Sequence, residues 1–333
     1  MKKYQFGIVG CGVIAPLHAQ AIAALPNAVL RGAVSSKIAD TKEFVGRFGG
    51  IAYSSFQAML QDPEIDVVCI CTPSLLHAPQ AIAALRSGKH VVLEKPMALN
   101  TAEADEIIRV CREENRLLTV IFQSRFSEDI RTLKRLLEEN AFGTITSVNL
   151  IMNYWRDEAY FRDSNWRGRL ACEGGGALTN QGIHGIDLLV YLLGMPQVLA
   201  ATVQTMVHSV EVEDSASALI RFPNGASGII QGSTCCWPGF PRKLTICGSK
   251  GFAVLRENRL EQLETPETKL DLRNKLDSGI KSYQKADSNE CYGHTAQIGN
   301  LLDALEGKDS LFIDGEEGRK SLRVIEEIYR LGR

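Results

Sequence analysis

Gly10, Gly12 and Ala15, in the run Gly7-Ile8-Val9-Gly10-Cys11-Gly12-Val13-Ile14-Ala15, are spaced for one kind of chemistry. Gly10 allows a tight turn, Gly12 lets the backbone approach a pyrophosphate, and small Ala15 lets a helix pack closely on the preceding strand. Amides at the helix start, beside Val13 and Ile14, then face the phosphate charge. The context makes the pattern informative, because a strand-like run precedes it and a helical one follows. Dinucleotide binding is the expectation. After the second strand-like run such a site for NAD usually offers Asp or Glu to the ribose hydroxyls. Here the chain reads Ser35-Ser36-Lys37, and Asp40 comes only later. Serine hydroxyls and a lysine ammonium suit a 2′-phosphate, so the expected cofactor is NAD or NADP, with NADP slightly favoured.

These residues need elements to position them. Residues 6–9, 29–34, 67–70, 91–93 and 117–122 are short, apolar, β-branched runs bounded by Gly, Pro, Asp or Lys, whereas 17–25, 41–48, 78–87 and 102–114 carry helical spacing. That alternation predicts an α/β domain over residues 1–123, a doubly wound Rossmann parallel sheet covered on both faces. A helix over 130–139 follows, and the texture changes at Gly143. Residues 145–154, 198–207, 216–222, 226–233 and 244–246 read as strands, with Asn224-Gly225 as a hairpin turn. Helices are expected over 178–193, 294–305 and 316–331. Residues 124–333 are thus read as an α+β domain with a large, mainly antiparallel sheet, for substrate binding and oligomerisation, whose last helices can pack back on the first domain. Residues 257–290, polar and weakly patterned, are expected to form a mobile loop or an interface element.

Composition narrows the function classes. A chain of 333 residues suits two domains, and a formal net charge of −2 leaves no positive field for nucleic acid or an anionic membrane surface. No apolar run reaches the roughly 20 residues that span a bilayer, and Met1-Lys2-Lys3-Tyr4-Gln5 lacks the apolar region of a secretory signal. The nine cysteines are an odd, scattered set, which predicts buried free thiols in a reducing, cytoplasmic compartment. Neither Cys69-x-Cys71 nor Cys235-Cys236 has companions at zinc-ligand spacing, and the six histidines form no H-E-x-x-H, so no metal is expected.

Three further segments belong with the glycine fingerprint. They are Cys71-Thr72-Pro73-Ser74-Leu75-Leu76-His77, then Gly88-Lys89-His90-Val91-Val92-Leu93-Glu94-Lys95-Pro96, then Gly174-Gly175-Gly176-Ala177-Leu178-Thr179-Asn180-Gln181-Gly182-Ile183-His184-Gly185-Ile186-Asp187, with Trp166-Arg167-Gly168 ahead of the last. In order and spacing this set resembles the glucose-fructose oxidoreductase, inositol dehydrogenase and MocA-like (Gfo/Idh/MocA) family over nearly the whole chain. Its third segment is most similar to the branch acting on sugars and sugar uronates, including nucleotide-sugar 3-dehydrogenases. The resemblance implies that Thr72, Pro73 and His77 line the cofactor cleft, with Glu94 and Lys95 beside the nicotinamide ribose, and that Gln123, Trp166 and Arg167 also touch the cofactor. Pro96 restricts the lysine backbone, and its peptide bond admits the cis isomer.

The implied activity is hydride transfer between nicotinamide and a ring secondary alcohol of a sugar, sugar acid, nucleotide sugar or cyclitol. Such a reaction needs a proton acceptor and a group that stabilises the developing alkoxide. His184 is assigned as general acid/base and Lys95 as electrostatic partner, with a desolvated Lys95 as base the open alternative. Asn180 stands where the inositol dehydrogenase pattern has Asp, four residues before the histidine; it keeps a hydrogen bond to substrate and removes a carboxylate that would raise the histidine pKa. Substrate contacts are expected from Lys95, Arg125, Tyr154, Arg156, Tyr160, Asn180, His184 and Tyr292. The competing readings are a glycosidase that oxidises C3 transiently with bound NAD, and a non-catalytic sugar or cofactor sensor. Exposed sheet faces favour a homodimer or homotetramer.

Overall fold

The computed structural model describes residues 2–272 and 288–333. The chain divides into two compact units, one of residues 2–123 and 288–319, the other of residues 124–272 and 320–333, each built on its own sheet.

In the first unit β1 (Tyr4–Val9), β2 (Ala28–Val34), β3 (Ile51–Ala52), β4 (Val67–Ile70), β5 (His90–Leu93) and β6 (Leu118–Val120) form one sheet in the order β3-β2-β1-β4-β5-β6. All its pairings are parallel. Every residue of β4 and of β6 is buried, as a sheet covered on both faces demands. The order reverses between β1 and β4, and the crevice beyond those strand ends is where open α/β sheets bind ligands. Helix Ala15–Ala23 leaves β1 and packs Ala15, Ala19 and Ile22 into one core cluster with Ile298, Leu301 and Leu302 of helix Ser288–Leu305. Gln297 on that helix closes the buried edge of the unit: its Oε1 accepts from the Phe122 amide at 3.1 Å, and its Nε2 donates to Val120 O at 2.7 Å and Thr119 Oγ1 at 2.9 Å. The two-residue β3 and the short helix Phe56–Leu60 carry too little periodicity to be read from sequence.

The second unit has an eight-stranded sheet of β7 (Ile145–Asn153), β8 (Gln197–Gln204), β9 (Ser215–Arg221), β10 (Ser227–Ser233), β11 (Lys243–Gly248), β12 (Gly251–Arg256), β13 (Arg259–Glu264) and β14 (Lys269–Asp271), in the order β14-β13-β12-β11-β7-β10-β9-β8. Among the described residues only β7 and β10 pair in parallel in this sheet. Asn224-Gly225 does turn the β9–β10 hairpin, with Gly225 at φ +88°. Residues 257–272 correct the expected loop: they carry β13 and β14. The pattern hid them because Glu261 is buried between Leu260 and Leu263, its charge paired with Arg256 at 2.7 Å. Residues 273–287 of that expected loop lie outside the described residues. Helix Ile183–Leu193 is entered through a π-helical turn, Ala177–Gly182, an irregular winding that often marks functional positions. Among the described residues no helix is long and apolar enough to cross a membrane.

Candidate active site

The first unit carries the dinucleotide half. Gly10 sits at φ +89° and donates its amide to Val34 O at 2.8 Å, and a Cβ there would lie 2.7 Å from the Cys71 carbonyl oxygen. Only glycine fits that turn. A Cβ on Gly12 would meet nothing within 4 Å. Here the missing side chain leaves open space in front of a helix start, with no side chain capping Ile14 and with Val13 90% exposed. That cradle suits a pyrophosphate. After β2, Thr41 Oγ1 accepts from the Ser35 amide at 2.9 Å, while Ser36 and Lys37 are exposed with no carboxylate pairing Lys37 among the described residues.

Thr72 and Pro73 follow β4, and Glu94, Lys95 and Pro96 follow β5, so both segments stand at the carboxyl ends of neighbouring strands. His77 clamps the two segments together. It is buried, with Nδ1 2.7 Å from Pro96 O and Nε2 2.8 Å from Thr72 O. Burial pushes its pKa down, and the two carbonyls pull partly back. The Lys95–Pro96 peptide is cis. The Glu94 carboxylate turns inward to His18 Nε2 at 2.8 Å and His294 Nε2 at 3.5 Å, and its second oxygen accepts from the Lys95 amide at 3.2 Å. Burial alone would raise the Glu94 pKa, but the histidine contacts outweigh it and hold the carboxyl well below its usual range, while burial lowers the pKa of His18. An ionised Glu94 bonded to a neutral His18 is the consistent state, and it braces the backbone that carries Lys95. These three side chains bring ligand atoms within 4.8 Å of one another, 76 and 200 residues apart in sequence, which no spacing rule could see. Tyr292 is 65% exposed on helix Ser288–Leu305. Gln123 lies at the end of this unit, packed under Gly293.

The second unit carries a polar cluster around Tyr160. Asn180 and Gln181, in the π-helical turn, donate to Tyr160 Oη at 3.4 and 2.9 Å, and Asn180 Nδ2 donates to Glu173 Oε1 at 2.6 Å. The Arg167 guanidinium lies 4.2 Å from the Tyr160 ring centroid and that of Arg156 5.3 Å, while Arg167 also faces Trp166 at 5.2 Å. Among the described residues neither arginine is paired with a carboxylate. His184 sits half-buried in the first turn of helix Ile183–Leu193. The glycine run before it is fixed from beneath by Glu213, which accepts from the amides of Gly176 at 2.7 Å and Leu178 at 2.9 Å and from Tyr329 Oη at 2.7 Å. A Cβ on Gly176 would come 2.0 Å from the Glu213 carbonyl oxygen. Burial raises the Glu213 pKa against those three donors.

Within this unit, the expected substrate contacts Arg125 and Tyr154 fall outside the cluster. Arg125 is corrected: it and Asp187 are each 1% exposed and form a two-pronged ion pair at 2.6 and 2.9 Å, so its charge is spent inside the unit. Tyr154 lies just past β7 with its amide donated to Ser233 O, its pKa raised by burial. Sequence reasoning missed Glu173, Gln181, Glu213, Tyr329, His18 and His294. Glu173 lies beside the motif and Gln181 within it, and both could have been taken up; the others act across 35 residues or more and left no local signal.

Comparison with known proteins agrees with this geometry. Residues 4–122 match the oxidoreductase family with an NAD-binding Rossmann fold, and residues 130–254 match the GFO/IDH/MocA C-terminal domain. A myo-inositol 2-dehydrogenase of Thermotoga maritima is 28% identical over 74% of this chain and 73% of its own length. A levoglucosan dehydrogenase of Pseudarthrobacter phenanthrenivorans is 29% identical over 79% and 76%. The crystal structure of the WlbA dehydrogenase from Bordetella pertussis in complex with NADH and UDP-GlcNAcA superposes with a TM-score of 0.88 at 29% identity, covering 100% of this chain and 97% of that one. A nucleotide cradle after β1, an E-K-P segment after β5 and a glycine-run helix over a mainly antiparallel sheet therefore have one common source: the chain belongs to the Gfo/Idh/MocA family of NAD(P)-dependent oxidoreductases.

Proposed function

We propose that this NAD(P)-dependent oxidoreductase acts on a ring secondary alcohol of an anionic sugar, a sugar uronate or nucleotide sugar, with His184 as general acid/base and Lys95 stabilising the developing alkoxide. The observation that carries the substrate class is the pair of guanidiniums stacked on Tyr160 without a carboxylate partner among the described residues, next to the amides of Asn180 and Gln181. Partly buried arginines without an acid favour an anionic ligand group. Arg156 is assigned to the substrate's anionic group, and Arg167 with Trp166 to the cofactor. UDP-GlcNAcA in the WlbA complex is a sugar of this class.

When bound, the nicotinamide supplies the hydride acceptor. Gly12 and the uncapped start of helix Ala15–Ala23 would hold its pyrophosphate, and the exposed Ser36 and Lys37 favour the 2′-phosphate of NADP. Tyr160 Oη accepts from two amides and keeps its own proton to donate. The test is a substrate panel with wild type and Arg156→Met. Uronates and nucleotide sugars should be preferred over neutral sugars, and the substitution should erase that preference by about 10- to 100-fold in kcat/KM. Equal use of neutral sugars by both proteins would reject the anionic class.

The nine cysteines are all free, which supports a reducing, cytosolic setting. Homo-oligomerisation through the outer face of the larger sheet is supported by Leu219 and Ile229, exposed directly opposite each other on β9 and β10. Sedimentation of Leu219→Lys should show a smaller species than wild type; a wild type already monomeric would refute it.

A further inference from the structure

We propose that Thr41 is a positioning residue for cofactor selection: its buried hydroxyl pins both ends of the Ser35-Ser36-Lys37 turn and holds Ser36 and Lys37 ready for a 2′-phosphate. The inference rests on the assignment of that turn to the 2′-phosphate of NADP made above.

Thr41 is fully buried one turn into helix Ile38–Phe48, whereas Ala39, Asp40 and Lys42 around it are exposed. A helical threonine hydroxyl competes for backbone partners, and here it has found two. Its Oγ1 accepts from the Ser35 amide at 2.9 Å and donates to the Lys37 carbonyl oxygen at 3.3 Å. The Thr41 amide reaches that same carbonyl at 3.2 Å. One oxygen can do both because a hydroxyl has a proton to give and lone pairs to receive. The bridge closes the turn from β2 into the helix, where Lys37 is the N-cap at φ −115° and no side chain caps the helix start. The Ser35 amide is thereby drawn inward, and the residues left facing outward are Ser36 and Lys37, both exposed. The same hydroxyl also meets the Cys11 thiol of the glycine turn: burial pushes that thiol up to about 11, and Thr41 pulls it partly back. A single side chain therefore ties the turn suited to the pyrophosphate to the turn suited to the ribose. Asp40, in the first turn of the helix, carries the wrong charge for a phosphate, so selectivity depends on how Lys37 is held. A phosphate dianion gains most from a hydroxyl and an ammonium fixed in advance. The uncharged 2′-hydroxyl of NAD gains far less, and a loosened turn costs it little.

Calorimetric titration of the nucleotide-free protein with NADP⁺ and with NAD⁺ tests this on wild type, Thr41→Val, Thr41→Ser and Lys37→Ala. Thr41→Val keeps the shape and removes the hydroxyl. Its Kd for NADP⁺ is expected to rise about 10-fold while that for NAD⁺ stays within about threefold of wild type. Thr41→Ser keeps the hydroxyl and should bind both nucleotides within about threefold of wild type. Thr41→Ala also lacks the hydroxyl and adds no bulk beside the Ser35 amide, so it gives the same reading where the valine variant does not fold. NADP⁺ affinity in Thr41→Val within about threefold of wild type would overturn the inference. So would equal weakening of both nucleotides, the mark of a merely structural role, or a serine variant as weak as the valine one, which would make the methyl the group that matters. Lys37→Ala separates the two levels. If it leaves NADP⁺ affinity unchanged, the assignment of the turn to the 2′-phosphate fails and the inference with it; if it weakens NADP⁺ while Thr41→Val does not, only the role of Thr41 fails.

Discussion

Arg125 and Asp187 pair at full burial, and the pair exposes a limit of reading side-chain chemistry one residue at a time. An arginine near the start of the second unit suits a carboxylate ligand, yet its acid lies 62 residues away in the helix that carries His184. Asp187→Ala should cost about 3–5 kcal/mol of stability, because a guanidinium loses its buried counter-charge. Urea midpoints would show it, and a change within about 0.5 kcal/mol would mean the pair is not buried in solution. Lys37 is the opposite case, exposed at the end of β2. Lys37→Ala should raise KM for NADP by about 10-fold or more and leave KM for NAD unchanged; equal effects on both would place the lysine away from the 2′-phosphate. Gly10 was legible because its backbone, at φ +89° and tight against the Cys71 carbonyl, forces its type into a short motif. Glu173 was not, since a carboxylate that meets a neighbouring amide has no sequence period.

At the scale of elements, the π-helical turn is held in place by chemistry from the end of the chain. Tyr329 donates to Glu213 at 2.7 Å and shares a hydrogen bond of 2.8 Å with Thr179, while Glu213 takes the amides at the head of the turn. Tyr329→Phe removes the hydroxyl and leaves Thr179 and Glu213 short of a buried partner. A loss of about 1–3 kcal/mol is expected, with a lower kcat because the turn carries Asn180. Unchanged stability and kcat would show that the glycine run holds itself. The strands β1, β2, β4, β5 and β6 were readable from buried β-branched runs, and the hairpin from Asn224-Gly225. β13 and β14 were not, because an ion pair buries Glu261 where a simple pattern expects an apolar residue.

At the scale of the whole molecule, His18, His77 and His90 are held below their ordinary pKa, chiefly by burial, His90 at about 4. The unfolded chain takes protons on these residues as pH falls through about 6.5, and the folded protein resists, so their contribution is present above that pH and lost below it. The thermal midpoint should therefore drop by several degrees between about pH 7.5 and about pH 5. A midpoint that rises or stays level would mean these rings are protonated in the fold. The two-sheet plan followed from the change of texture at Gly143, and the return of helix Ser288–Leu305 to the first unit rests on tertiary packing at Ile298, Leu301 and Leu302.

The central claim, hydride transfer from a sugar alcohol to free nicotinamide, is tested most directly by following the reduced-nicotinamide absorbance as sugars, uronates, nucleotide sugars and cyclitols are added to wild type, Lys95→Ala and His184→Ala. Stoichiometric reduction with one class by wild type, lowered about 10²- to 10⁴-fold in each variant, is the expected result. Release of a leaving group from glycosides with no net reduction of cofactor, or turnover in both variants within about threefold of wild type, would contradict it.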